Sequence, residues 1–401
     1  MTGSAAGENS SQSGEKKKLF TRTFALGWLI TFSFYLVFYF LITIMALYAI
    51  KEFAASDLVA GFASSSFVVG ATIARFVCGY IVDRFGRRRV LILSSMLAVV
   101  ASVLYIPADS LVLLISVRLL HGFAFCFAST ATMAVTQLVI PPSRRAEGTG
   151  YLSLTSTLAT AVGPALALFL VGTFNYQFIF WVTLAVTVAT LVLSLLVEDP
   201  LQRQEGVPTR WSIKTIVHPA VVPVAIFMMM IGLCYAGVIT YLNPYAENRD
   251  LIAGAGLFFL AYATSMLIMR TFLGRVQDRY GPTPVIVSGL VAFAIALVIL
   301  AAADTDWLVV VAGALTGMGY GTLMPAAQAI TVDAVPATQI GTGLSTLFLF
   351  TDLGFGLGPV LLGVLLGGVG YGGMFATLSG VVVLAGIYYA VIRAWRQRSR
   401  R

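Results

Sequence analysis

The sequence predicts an all-α integral membrane protein with twelve transmembrane helices in two pseudo-symmetric six-helix halves and both termini cytoplasmic. Three observations carry this reading. The 401 residues are 59% hydrophobic and 10% charged, with a mean hydropathy of +0.92, more apolar surface than a soluble domain of this size can bury. The apolar residues form long continuous runs instead of short alternating segments, so the spans are helices and not barrel strands. The second half also repeats the punctuation of the first at a constant offset of 195 residues.

Length sets the number of spans. A helix crosses the hydrocarbon core in about 20 residues. The apolar runs place spans near 23–50, 57–79, 88–106, 110–138, 147–171, 177–197, 219–245, 251–274, 284–302, 307–332, 340–366 and 372–392. Residues 1–18 are polar, rich in Gly and Ser, and lack the apolar core of a signal peptide, so they read as a disordered cytoplasmic tail. The polar stretch 198–218 reads as a cytoplasmic linker between six-helix units at 19–197 and 219–393. Residues 394–401 form a basic cytoplasmic tail.

Charge placement sets the topology. Twenty of the 25 basic residues fall on one side of this map: Lys16–Lys18, Arg22, Arg84, Arg87–Arg89, Arg144, Arg145, Arg203, Arg210, Lys214, Arg275, Arg279 and the five from Arg393 onward. Only Lys51 and Arg249 fall on the other. That excess marks the cytoplasmic side. The net charge of +8 is therefore a topology signal, and nucleic acid is not an expected partner. Cys78, Cys126 and Cys234 lie in apolar runs without metal-ligand spacing, so no metal site or disulfide is expected. The two histidines, His121 and His218, stand beside no nucleophile or ligand cluster, and no Gly-x4-Gly-Lys-Ser/Thr loop occurs. An enzyme and an ATP-driven machine are both poor readings.

The repeat rests on residues that shape the backbone or carry charge. At the offset of 195, Arg75 meets Arg270, Gly79 meets Gly274, Asp83 meets Asp278 and Gly86 meets Gly281. Gly122 then meets Gly317, Pro141 meets Pro336, Gly148 meets Gly343, and Gly163-Pro164 meets Gly358-Pro359. Two units in parallel orientation suit a transporter built from repeats. The stretch Gly79–Arg89 has Gly, Asp four residues on, a basic residue, Gly and further basic residues. It resembles the loop motif between helices 2 and 3 of the major facilitator superfamily. Leu114, Arg118, His121 and Gly122 are similar to that family's helix-4 motif, with His121 where Gln is usual. The helix-5 Gly-x3-Gly-Pro pattern of antiporters is reduced to Ala159-x3-Gly163-Pro164, and is fuller in the second half as Gly354-x3-Gly358-Pro359. The resemblance spans residues 20–395 and implies the family's fold, alternating access, and the drug/metabolite:proton antiporter-like branch.

A charge within the bilayer costs about 2.5–3.5 kcal/mol on insertion scales, which makes such groups functional candidates. Arg75, Arg118, Arg270 and Asp352 qualify. Arg75 and Arg270 repeat each other, which suits a shared architectural task. Arg118 and Asp352 align instead with Gly313 and Thr157, so they are specialised, and Arg118 matches the family's coupling arginine. Asp352 lies about 18 Å along helix 11. A lone carboxyl in lipid keeps its proton near neutral pH, and an adjacent arginine favours the ionised form. Exchanging those surroundings between conformations is what proton coupling requires. The family fold brings helices 2 and 11 together, so an Arg75–Asp352 pair is expected, with Arg118 as the competing partner. The proton is the coupling ion, and no other cofactor is expected.

Gly79, Asp83, Arg84, Gly86, Arg87 and Arg88 make up a candidate cytoplasmic latch. Asp83 suits the exposed amides at the N-terminus of helix 11, and the arginines suit Glu147 or Asp333. The copy around Asp278 trades the trailing arginines for Pro282-Thr283-Pro284. It is expected to be the weaker latch, leaving the electrostatic lock mainly between helices 2 and 11. The resemblance places helices 1, 4, 7 and 10 around the substrate cavity, which nominates Tyr35, Tyr39, His121, Phe125, Tyr241, Asn243, Tyr320 and Gln328. The expected function is proton-coupled efflux of small amphipathic drugs or metabolites across a bacterial plasma membrane. A multi-pass monomer is expected, with a small-molecule substrate and the lipid bilayer as partners. Alternatives are a dedicated exporter of one endogenous metabolite such as a metallophore or an amino-acid derivative, a proton symporter for uptake, and a scaffold or sensor without turnover. The charges kept in lipid speak against the last.

Overall fold

The computed structural model describes residues 19–55, 57–198 and 216–398. The tail 1–18, nearly all of the linker 198–218 and the end of the basic tail lie outside the described residues. Ten helices have separate bounds: α1 Arg22–Phe53, α2 Asp57–Phe85, α3 Arg87–Leu104, α4 Leu111–Val139, α5 Arg145–Thr173, α6 Tyr176–Leu195, α7 Val222–Asn248, α8 Ile252–Tyr280, α9 Pro282–Ala302 and α10 Asp306–Asp333. The stretch Ile340–Arg398 holds two more, α11 (340–369) and α12 (371–398), separated by the left-handed turn at Gly370 with φ 67°. Eleven of these helices are long and apolar enough to cross a membrane; α3 opens on Arg87–Arg89 instead.

Helix ends follow local chemistry. Thr21 accepts from the Phe24 amide at 3.2 Å and Asn175 from the Phe178 amide at 2.8 Å, satisfying donors that a first helical turn leaves free. A short 3-10 turn after a proline precedes α5 (Pro142–Arg144) and its repeat mate α11 (Ala337–Gln339). Both deliver a helix N-terminus to the same level of the molecule. Gly86 and Gly281, with φ of 93° and 81°, turn the chain from α2 into α3 and from α8 into α9 in a conformation that residues with a side chain avoid.

Helices α2 and α8 run to Phe85 and Tyr280, six residues past the ends that hydropathy suggests at 79 and 274. Asp83 and Asp278 therefore ride on last helical turns and not in loops. A helix keeps its backbone groups bonded as it leaves the hydrocarbon, so a drop in hydropathy does not end it.

Both halves pack alike. In the first, α2 and α3 lie on α4, α1 on α5, and α3 on α6; in the second, α8 and α9 lie on α10, α7 on α11, and α9 on α12. Gly122 meets the Phe67 backbone and Gly317 the Tyr262 backbone so closely that a side chain at either would clash. Such small residues allow close helix crossing where lipid supplies no hydrophobic drive between helices. The halves meet along α2–α11 and α5–α8, and less extensively along α5–α10 and α4–α11. Every hydrogen bond or ion pair found between the halves among the described residues lies at mid-helix or toward the basic ends. At the other ends, bonds such as Tyr245 hydroxyl to Leu300 carbonyl, 2.6 Å, and Gly254 amide to Asp306, 2.6 Å, stay within one half. The polar closure is on the basic side.

Candidate coupling and gating site

The α2–α11 seam is built on a glycine and an aspartate one turn apart. A Cβ at Gly79 would lie 2.7 Å from Thr342 Cα and 2.8 Å from the Gly341 carbonyl oxygen, so only glycine admits the first turn of α11 here. Asp83, 1% exposed, then accepts the Gly341 amide at 2.9 Å and the Thr342 amide and hydroxyl at 2.7 and 2.8 Å. These amides are the unpaired donors at the positive end of the helix dipole. Arg87, fully buried, lies 3.8 Å from Asp83 and donates to the Ala337 carbonyl. Arg88 donates to the Val197 and Leu195 carbonyls at 2.7 and 3.0 Å, closing the end of α6. Arg84 is exposed, with no hydrogen bond or ion pair found among the described residues. The expected pairing of Arg84 and Arg87–Arg89 with Glu147 or Asp333 is not made, because those acids belong to the other seam.

The α5–α8 seam repeats the backbone device. A Cβ at Gly274 would lie 2.6 Å from Glu147 Cα, and Asp278 accepts the Ala146 and Glu147 amides at 2.8 and 2.9 Å. Ion pairs surround it: Arg144–Glu147 at 2.7 Å, Arg275–Glu147 at 2.9 Å and Arg145–Asp333 at 2.5 Å. The second latch is therefore richer in ion pairs than the first, although the basic run after Asp278 is lost. Its arginines come from the start of α5 and from α8, so losing the basic run after Asp278 costs it little.

Deeper between the halves lies a charge pair. Arg75 Nε donates to Asp352 Oδ2 at 2.8 Å, its guanidinium stands 4.9 Å from the centre of the Phe348 ring, and the Ser345 hydroxyl donates to the Arg75 carbonyl at 3.0 Å. The Asp352 side chain is 36% exposed and that of Arg75 12%, so the acid has open space beside it. The repeat mates form the matching contact on the other seam. Arg270 donates to Thr157 Oγ1 at 2.5 Å, to the Ser153 carbonyl, and to the Gly321 carbonyl at 3.3 Å. Where Arg75 has an aspartate, Arg270 has a threonine.

Arg118 is not the partner of Asp352. It is fully buried within the first half, donates to the Ala63 and Ser64 carbonyls of α2 at 3.4 and 2.8 Å, and lies 5.1 Å from the centre of the Phe67 ring. His121, one turn on, is buried against Tyr105, 3.3 Å from its hydroxyl, and against Phe67. It packs in the core of the half and does not line the substrate space, because this face of α4 turns toward α2 and Tyr105. Phe125 is likewise buried among Phe34, Tyr35, Phe38 and Phe67.

Tyr35, Tyr39 and Tyr320 are partly exposed at the level of the charges. Tyr35 packs edge-on to Phe125 at 5.5 Å, and Tyr320 precedes Gly321, whose carbonyl accepts from Arg270. Tyr320 stacks on Tyr235 at 3.7 Å, and Tyr235 on Tyr262 at 5.6 Å. Gln328 is buried two turns further along α10. Tyr241 stands toward the opposite end, its hydroxyl facing Gly363; the Asn243 side chain lies outside what is described. Tyr235, Tyr262 and Thr157 were missed as site residues. The repeat offset could have found one of them, since Thr157 aligns with Asp352.

Comparison with known proteins agrees with this architecture. The family model described as Major Facilitator Superfamily matches residues 27–252 and 251–401. The multidrug resistance protein MdtG of Citrobacter koseri is 23% identical over 329 residues, covering 80% of this chain and 80% of the relative. That of Serratia proteamaculans is 23% identical over 317 residues, covering 76% and 77%. Among solved structures, the human organic anion transporter MFSD10 (TETRAN) superposes with a TM-score of 0.75 at 16% identity, over 92% of this chain and 98% of that one. FucP in the outward conformation gives 0.77 at 13% identity, over 92% and 99%. The paired seams, the repeated Gly-x3-Asp device and a family match along nearly the whole chain lead to one conclusion: this multi-pass membrane protein belongs to the Major Facilitator Superfamily.

Proposed function

We propose that the chain exports small amphipathic molecules in exchange for protons, by alternating access in a bacterial inner membrane. The observation that carries this reading is the Arg75–Asp352 pair, which joins the two halves at mid-helix and leaves the acid one-third exposed. With the basic side latched, a proton reaching Asp352 from the opposite side neutralises the carboxylate and weakens its hold on Arg75. Arg75 lies two turns before Asp83 on α2, so loosening it loosens the same seam that the Asp83 latch closes. The halves can then rock and expose the cavity to the cytoplasm. Efflux as the direction is supported by the multidrug resistance relatives. The proton is the one coupling ion in this scheme, and a monomer suffices for it.

The test is flux in proteoliposomes under an imposed pH gradient. In Asp352→Asn, gradient-driven flux should fall to background while substrate-for-substrate exchange persists. Full gradient-driven flux in that variant would refute the coupling role. A second reading, uptake together with the proton, is favoured by Arg270, a cation that no acid pairs with among the described residues. An anion bound there repels ionised Asp352 and favours its protonation, so anion and proton would travel in one direction. The direction of flux under the same gradient separates the two readings.

A further inference from the structure

The two repeat-related arginines differ in one respect: among the described residues, only one is paired with a carboxylate. Arg75 holds Asp352 at 2.8 Å. Arg270 holds the Thr157 hydroxyl and the Ser153 and Gly321 carbonyls, all neutral acceptors. No carboxylate pairs with it among the described residues, and its Nη2 has no hydrogen bond there. Arg118 is sealed within the first half and takes no part. Between the halves at this depth, two guanidinium groups thus face one carboxylate, an excess of one positive charge.

The aromatic residues differ in the same sense. Tyr262 and Tyr320 of the second half stand where the first half has Phe67 and Phe125. Phe67 and Phe125 pack on each other at 5.2 Å in the core, whereas Tyr235 stacks on Tyr262 and on Tyr320, the residue before the Gly321 carbonyl that accepts from Arg270. Phenolic hydroxyls add hydrogen-bond donors to a guanidinium that already has spare ones. A ring cluster together with a guanidinium that has spare donors matches an aromatic or apolar body carrying an acid group.

We infer that the substrate is an organic anion, with Arg270 binding its carboxylate or similar acid group and the Tyr235–Tyr262–Tyr320 cluster holding its body. This rests on the reading of the chain as a proton-coupled transporter, in either direction of flux, and names its substrate class. An unneutralised cation away from bulk water is costly, and a ligand of opposite charge relieves that cost where the dielectric is low. A guanidinium meets a carboxylate through two parallel donors, so a compact planar acid is preferred.

Three probes with one body test this on the purified full chain: 4-phenylbutyrate, 4-phenylbutyramide and 4-phenylbutylamine, with affinities read by calorimetry. The acid should bind at least about tenfold more tightly than the amide, as expected for one charge-assisted contact, with the amine weakest. Arg270→Gln should abolish that preference and Arg270→Lys retain part of it. Because Arg270 also ties α8 to α5 and α10, a second variant keeps it in place. Thr157→Asp sets a carboxylate on Arg270 as Asp352 sits on Arg75, and should also abolish the preference, with thermal unfolding of the free protein near that of the wild type. Failure of the wild type to bind the acid, equal binding of acid and amide, or a preference surviving in T157D overturns the inference. Acid binding without flux in liposomes would instead sink the transport reading and leave this one standing. Flux of the amine or amide without acid preference would do the reverse.

Discussion

The α2–α11 and α5–α8 seams are one device built twice from different parts. In both, a glycine admits a helix N-terminus and an aspartate four residues later accepts its amides. The first seam concentrates its hold in a single buried carboxylate with three donors and a buried arginine nearby. The second spreads it over Asp278, Glu147 and Asp333, with Asp333 58% and Arg275 62% exposed. Backbone geometry has survived duplication while the charges have been redistributed. Buried, the first hold is nearly immune to salt; exposed, much of the second is screened. The same contrast recurs at mid-helix, where one seam keeps a protonatable group and the other a threonine.

The largest expected effect comes from the concentrated seam. Asp83→Asn should cost the closed state about 3 kcal/mol, the scale of losing charge-assisted bonds from a buried group, and so raise opening of the basic side by roughly a hundredfold. Maleimide labelling of Ser345→Cys, buried on the α11 side of this seam, reads that opening against native cysteines that are all buried. An unchanged labelling rate would show that Asp83 does not hold the seam.

Next are the paired glycines. Gly79→Ala and Gly274→Ala each force a methyl group into helix backbone, an overpacking cost of about 1–3 kcal/mol. Similar loss of transport in both, with insertion unchanged, would support one device used twice. Loss in only one would break the equivalence.

Asp278→Asn is expected to open its seam less than Asp83→Asn opens the other, by about 1–2 kcal/mol, because Glu147 and Asp333 still hold. Spin-label distances between the basic ends of α5 and α8 measure this; a larger effect than that of Asp83→Asn would reverse the comparison. The smallest change belongs to Asp333→Asn. Its pair with Arg145 should contribute less than about 1 kcal/mol and vanish in molar salt. A salt-resistant effect on the same distances would mean the pair is buried in use.

Parts of the site were legible in advance for identifiable reasons. Asp83 and its helix-11 amides, and the Arg75–Asp352 pair, follow from motif residues whose partners the family resemblance places opposite them. The ion pairs of the second seam were not legible, because Arg144, Arg145 and Glu147 lie about 130 residues before Asp278 and form no local pattern with it. Arg118 was the competing partner for Asp352 because it is another charge within the membrane. Its partners are backbone carbonyls of α2, which every residue carries and no sequence pattern marks. His121 looked like a cavity residue because α4 borders the cavity, yet helical rotation turns that face inward.

What the sequence alone determined is the class of the molecule. Lipid leaves a chain this apolar only helices, the basic residues orient them, and an offset of 195 divides them into two like halves. Tertiary structure decided which charges meet. Only packing could choose Arg75 over Arg118 for Asp352 and set Thr157 on Arg270, since each contact joins helices of different halves over a distance no local pattern spans. Pairing depends on where two rigid surfaces touch, and that is a property of the assembled bundle.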